Sequence, residues 1–179
     1  MRGGVASDDR SLLVDAVAAS SGCPVSAVSV VQRCAVCGEV GHGAPVVVEP
    51  AGWFVSLSRA GTLEAVAVAR VGVGLDIEIV AAVAAHPVDG AASAREWCGK
   101  EAVLKACGVG LRVSPELLVF EGDVLELWPE SLGLEEVPGV AWFEVAEGVV
   151  GAVAVLGAEA PVPLLVELVG TSVGDRELR

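Results

Sequence analysis

Residues 72–80 run Gly72-Val73-Gly74-Leu75-Asp76-Ile77-Glu78-Ile79-Val80, or GVGLDIEIV. A short run in which apolar and acidic positions alternate is the pattern of a β-strand. Side chains alternate along a strand. Leu75, Ile77 and Ile79 therefore face one way, into a core, and Asp76 and Glu78 share the other face. Neighbouring carboxylates repel and raise each other's pKa. A hard divalent cation relieves that repulsion. Mg²⁺ typically takes one or two carboxylates and keeps positions open for substrate phosphates. The plainer alternative is a solvated strand face that carries two acids.

The pattern extends in both directions from this strand. Leu63 to Val71 alternates and predicts a strand. A turn over Arg59 to Thr62 precedes it, and before that WFVSLS predicts another strand. Further back lie a strand at Pro45 to Glu49, the Gly-rich loop CAVCGEVGHGAP and a short strand at Val28 to Gln32. RSLLVDAVAASSG has the spacing of an amphipathic helix, with Asp8 and Asp9 at its start and Gly22 at its end. Downstream, His86 to Ser93 is a loop and Glu96 to Cys107 a helix stopped by Gly108. LLVFEGDVLELW and WFEVAEGVVGAVAVL each predict strand, turn, strand. The tail after Ala160 is expected to be partly ordered at best. Helices mixed with antiparallel hairpins, without βαβ alternation, predict an α+β chain. A break near Arg70 to Gly74 divides it into residues 1–71, residues 72–160 and a tail, 161–179.

Composition excludes several functions. The 179 residues carry a formal charge of −13, which repels phosphate backbones and argues against nucleic-acid binding. A phosphate-bearing substrate then requires a metal or a local basic cluster. No stretch reaches the ~18 apolar residues of a membrane span. The opening MRGGVASDDRS has no apolar signal segment, so a cytoplasmic protein with mostly free thiols is expected.

The helix of WCGKEAVLKACGVGL, residues 97–111, places Trp97, Glu101 and Lys105 four apart on one face. Alone, Glu101 and Lys105 are a helix salt bridge worth roughly 0.3–0.5 kcal/mol. With Asp76 and Glu78 they make a larger set. A third carboxylate completes a metal site, and a lysine one turn on meets phosphate charge. Glu101 is then placed to take a proton from an attacking hydroxyl, and Lys105 to stabilise a leaving phosphate.

GVGLDIE followed by WCGKEAVLKACGVGL closely resembles the two signature segments of the 4'-phosphopantetheinyl transferases. DRSLLVDAV, CGEVGHGAP and FVSLS resemble the longer, typically monomeric, surfactin-synthetase-activating branch. The likeness covers roughly residues 8–156. It implies two similar α+β halves in a pseudo-twofold arrangement, with coenzyme A in the cleft between them. It implies Mg²⁺-dependent transfer of 4'-phosphopantetheine to a serine of an acyl or peptidyl carrier protein. By similarity, Asp76, Glu78 and Glu101 hold Mg²⁺, Glu101 is the base and Lys105 assists the leaving group. Lys100, Arg10, Ser56, Ser58, Gly43 and Pro45 match positions that bind coenzyme A.

The sequence departs from that pattern in three places. Leu57 stands where the family has a histidine between the two serines. Ala44 stands where it has a cation between Gly43 and Pro45. Each loss removes a charged hydrogen bond to phosphate, worth about 1.5–3 kcal/mol. Arg33 and Arg59 are the candidates to compensate. The third departure is the short, Ala-rich stretch from Asp76 to Trp97, which stands where the longer branch has an extra helical segment, rich in Phe and acidic residues, that helps dock the carrier. These departures keep open a second possibility, a divergent member that binds a nucleotide or a partner protein without transfer.

Cys34, Cys37 and His42 form part of a zinc-like pattern. Zinc usually has four ligands, and there is no second CxxC, although Cys23 could serve as a fourth. Loop or core thiols are the expectation for this segment. No nucleophile elbow and no P-loop pattern occurs.

Overall fold

The computed structural model describes residues 9–88, 90–157 and 167–170, with backbone alone at 9, 10 and 167–170. Helix α1 spans Asp9–Ser21 and ends where Gly22, at φ 73°, turns left-handed and its N–H reaches the Ala18 carbonyl. Asp8 and most of the tail after Ala160 lie outside the described residues. Strands β1 (Ser29–Arg33) and β2 (Ala44–Glu49) pair antiparallel. Strands β3 (Phe54–Ala60) and β4 (Leu63–Ala69) form a hairpin around Gly61 and Thr62. The turn is tighter than the four residues expected, because Arg59 belongs to the ladder. Its Nε lies 2.8 Å from Oε1 of Glu64, its partner on β4.

The chain then leaves this sheet. GVGLDIEIV forms β5 (Val73–Ile79), followed by a short helix α2 (Val80–Ala85) in a stretch the sequence left unassigned. Helix α3 covers Ala94–Ala106. Its N-terminus is capped by Ser93, whose Oγ accepts the Glu96 N–H at 3.1 Å. Strands β6 (Val119–Glu121) and β7 (Val124–Leu127) make one hairpin, and β8 (Gly139–Ala146) and β9 (Val149–Val155) another. A last strand, β10 (Glu167–Gly170), pairs with β4, so part of the tail joins the first sheet. The result is α+β, with small antiparallel sheets ordered β1-β2, β10-β4-β3, β5-β9-β8 and β6-β7.

Alternation along β4 and β5 arranges the layers. Ala65, Ala67 and Ala69 of β4 face Val73, Leu75 and Ile77 of β5 across one core. Val66 and Val68, on the outer side of β4, pack under Leu12, Leu13, Ala16 and Val17 of α1. On the far side, Cys98, Ala102, Val103 and Leu104 of α3 cover Ala152 and Ala154 of β9. Burying each Leu, Ile or Val stabilises the fold by roughly 1.5–3 kcal/mol.

The two three-stranded sheets meet along edge strands. Unpaired N–H groups of an edge strand need partners. The Leu75 N–H donates to Ser56 Oγ at 3.0 Å and the Ile77 N–H to Ser58 Oγ at 3.3 Å. Side chains of β3 thus complete the free edge of β5. No helix among the described residues is long and apolar enough to cross a membrane.

Candidate active site

Asp76 and Glu78 share one face of β5, as the alternation predicts, and α3 covers that face. Asp76 is 4% exposed. Its Oδ1 accepts from the Ser58 hydroxyl at 2.8 Å and from Lys105 Nζ at 2.6 Å. Lys105 Nζ also donates to the Leu75 carbonyl at 3.2 Å and lies 3.5 Å from Glu101 Oε2, one helical turn back. The ammonium therefore bridges two acids from different elements, beyond the local salt bridge that helix spacing alone suggests. Trp97, on the same helix face, favours the ionised form of Glu78.

Burial decides the charge state of these acids. It pushes the Glu78 carboxyl up, Asp76 adds to that, and the Trp97 and Lys105 side chains only partly oppose it. Burial likewise raises Glu101, against the pull of Lys105 and with a further push from Asp76. Cys98, fully buried behind the acids, has its thiol driven far up by burial and by the charges of Asp76 and Glu78, so it stays protonated.

The donor chemistry suits a hard cation. Asp76 Oδ2 is buried and has no hydrogen-bond partner, an orphaned acceptor whose desolvation a cation would offset. Glu78 and Glu101 add carboxylate oxygens to the same cluster, of the type Mg²⁺ prefers. The three acids are not drawn together as a closed cage. Among the described residues, the group of three whose ligand atoms all lie within 4.8 Å is Cys34, Cys37 and His42.

Raised carboxylate pKa values also predict a stability profile. A carboxyl whose folded pKa exceeds its unfolded value gives full stability below the unfolded pKa and loses it as pH rises through the folded one. Glu78→Gln removes the charge and keeps an oxygen for Trp97. The variant is expected to be more stable than the parent at pH 7, without divalent cations, by up to about 1 kcal/mol after solvent screening. The advantage should vanish near pH 4, where the parent carboxyl is protonated. Urea unfolding at the two pH values measures it, and a less stable variant at pH 7 contradicts it.

Lys105 also lines a cleft of about 520 Å³. The cleft runs between β1, β2 and β3 on one wall and the end of α3 on the other, with Arg33, Pro45, Trp53 and Val73 among its lining residues. Two cations, Arg33 and Lys105, and no carboxylate are among the described residues of its wall. In a chain of charge −13, this is a local reversal of sign. Arg70 stacks its guanidinium 3.9 Å from the centroid of the Trp53 ring.

The remaining candidates fall in three places. Pro45 lines the cleft, and Gly43 precedes it at φ 92°, where a Cβ would stand 2.4 Å from the Arg33 carbonyl oxygen. Ala44, between them, also lines the cleft, and Leu57 packs toward the α1 core. Ser56 and Ser58 lie in the seam between the sheets, with both hydroxyls engaged by β5. Lys100 is 4% exposed and turned away from the acids. It donates to the Gly90 carbonyl and pairs with Glu96 Oε1 at 2.8 Å. Burial pushes Glu96 up, but Lys100 and the Ala92 N–H outweigh it and hold that carboxyl below its usual range. The Arg10 side chain lies outside the described residues.

Sequence spacing missed the Ser58 to Asp76 bond and the Cys98 thiol behind the acids. No local signal could have found the first, since the two residues meet only across the seam. The Trp53–Arg70 pair was accessible, because both residues continue the β3–β4 register beyond its last pair, Phe54 with Ala69. No protein-family model matches the chain, and no curated protein does.

Proposed function

We propose that the protein transfers 4'-phosphopantetheine from coenzyme A to a serine of an acyl or peptidyl carrier protein, with Mg²⁺ as cofactor. The observation that carries this is Lys105, which lines a cleft with no carboxylate among its described wall residues and pairs with Asp76 and Glu101 beside it. A cleft with cations and an apolar lining suits a ligand that has both phosphates and an extended organic arm. The two three-stranded sheets, one packed under α1 and the other under α3, support a reading of two α+β halves.

In this scheme Asp76, Glu78 and Glu101 hold the cation. Mg²⁺ supplies charge neutralisation and orientation at the pyrophosphate. Glu101, with its raised pKa, is placed to accept the proton of the attacking serine hydroxyl. That hydroxyl oxygen bonds to the β-phosphorus as the bond to the bridging oxygen breaks, and adenosine 3',5'-bisphosphate leaves. Lys105 meets the charge on the leaving phosphate, and Arg33 offers a second cation where Ala44 and Leu57 supply none.

The test is mass spectrometry of apo acyl and peptidyl carriers incubated with coenzyme A, Mg²⁺ and the protein. A pantetheinyl mass gain is expected, and Glu101→Gln should slow it at least about a hundredfold. Folded protein that modifies no carrier defeats the proposal.

One observation favours a second reading, that of a relative which binds a nucleotide without transfer. Lys100 is neutralised by Glu96 and buried, so it is withheld from any phosphate. Calorimetry with coenzyme A and 3'-dephospho-coenzyme A separates the two. Coenzyme A binding accompanied by transfer to a carrier counts against the second reading, and tight binding of either form without any transfer counts for it.

A further inference from the structure

The loop between β1 and β2 has a geometry that the proposed transfer does not use. It is pinned at both ends. The Cys34 N–H donates to the Glu39 carbonyl at 3.0 Å, the Gly38 N–H to the Cys34 carbonyl at 2.9 Å, and the Gly41 N–H to the Gln32 carbonyl at 3.0 Å. Arg33 and Val40 form a bridge beyond β1. Gly38 and Gly41 take φ 77° and 104°, a conformation that side chains rarely adopt, and so fold the loop back on itself. The turn brings Cys34 and Cys37 together and returns His42 beside them.

Three ligand atoms then converge. The Cys34 and Cys37 sulfurs and a His42 ring nitrogen all lie within 4.8 Å of one another, and Cys37 Sγ is 3.5 Å from His42 Nε2. A tetrahedral zinc with Zn–S of about 2.3 Å and Zn–N of about 2.1 Å has an S···N edge of about 3.6 Å. The observed separation is already that of a ligand pair. Cysteines 23, 98 and 107 are free and lie outside the group.

We propose that Cys34, Cys37 and His42 bind one zinc ion, with the fourth position left to solvent or to an incoming ligand. Two thiolates and an imidazole are borderline-soft donors that select zinc over Mg²⁺. The proposal departs from the expectation of ordinary loop thiols: a second CxxC is unnecessary when a histidine and one open position complete the tetrahedron. Because Cys34 also lines the cleft, the ion would brace the wall that carries Arg33 and Pro45. The site is independent of the transfer reaction and of its Mg²⁺.

The test uses the full chain, reduced and stripped of metal, titrated with Zn²⁺ against a chromophoric chelator and separately with Co²⁺. One equivalent of zinc is expected. The cobalt form should show thiolate-to-metal charge transfer and the intense visible bands of a tetrahedral centre. Cys34→Ser, Cys37→Ser and His42→Ala should each weaken zinc binding by more than the ~10–100-fold that loss of a supporting hydrogen bond costs. Since Cys37 and His42 are exposed, circular dichroism should show these variants folded. Absence of stoichiometric zinc binding by the reduced protein overturns the proposal. So does unchanged binding by folded Cys34→Ser and Cys37→Ser variants, or a cobalt spectrum without thiolate bands.

Discussion

Gly74→Ala is expected to lose at least about 4 kcal/mol of stability, or to yield no folded protein. A Cβ at residue 74 would stand 1.9 Å from the Ala102 carbonyl oxygen and 2.4 Å from the Ala106 nitrogen. Both are backbone atoms of α3, so no side-chain rotation relieves the overlap. The helix has to lift from β5. Ordinary overpacking costs about 1–3 kcal/mol because side chains shift. Here the displaced element carries Cys98, Ala102, Val103 and Leu104 into the core and Lys105 to Asp76. Gly122→Ala is the control. It has a left-handed φ of 60° and nothing within 4 Å of the added carbon, so it should lose only about 1–2 kcal/mol. Urea unfolding of both variants is the measurement. A Gly74→Ala midpoint equal to that of Gly122→Ala would falsify the close seating of α3 on β5.

The same glycine shows what was legible in the sequence. Alternation in GVGLDIEIV placed Leu75, Ile77 and Ile79 inward and the acids opposite, because period two is a local property of a strand. The helix face of Trp97, Glu101 and Lys105 was legible for the same reason. What covers the acidic face was not, since it depends on which helix packs there. Asp76 therefore turned out buried and paired with Lys105, and Glu78 half-buried. The seam was also hidden. Ser56 and Ser58 acquire their partners only when two edge strands from distant parts of the chain meet. Lys100 is a different case. Glu96 stands four residues before it, the favoured order for a helical ion pair, so its local partner was present in the sequence. The resemblance drew attention to phosphate instead.

The Asp76–Lys105 pair should respond asymmetrically to loss of either partner. Lys105→Met keeps the aliphatic stem but leaves the Asp76 carboxylate buried, with the Ser58 hydroxyl on Oδ1 and nothing on Oδ2. Breaking a buried pair in this way costs about 3–5 kcal/mol. Asp76→Asn is milder, about 1–2 kcal/mol, on the scale of one lost charged hydrogen bond. Lys105 is 27% exposed, so its ammonium keeps water and Glu101 within reach. The double variant should recover roughly 2 kcal/mol relative to the sum of the singles, because no unpaired charge remains. Denaturant unfolding of the four proteins without divalent cations gives this cycle. Mg²⁺ then separates a structural pair from a metal site. If Asp76, Glu78 and Glu101 hold the cation, added Mg²⁺ should stabilise Lys105→Met more than the parent, since it offsets the exposed deficit of positive charge. It should leave Asp76→Asn nearly unchanged. Equal stability of Lys105→Met and the parent would show that Asp76 does not depend on the ammonium. Equal Mg²⁺ effects on all four proteins would remove the acids from the metal-binding role.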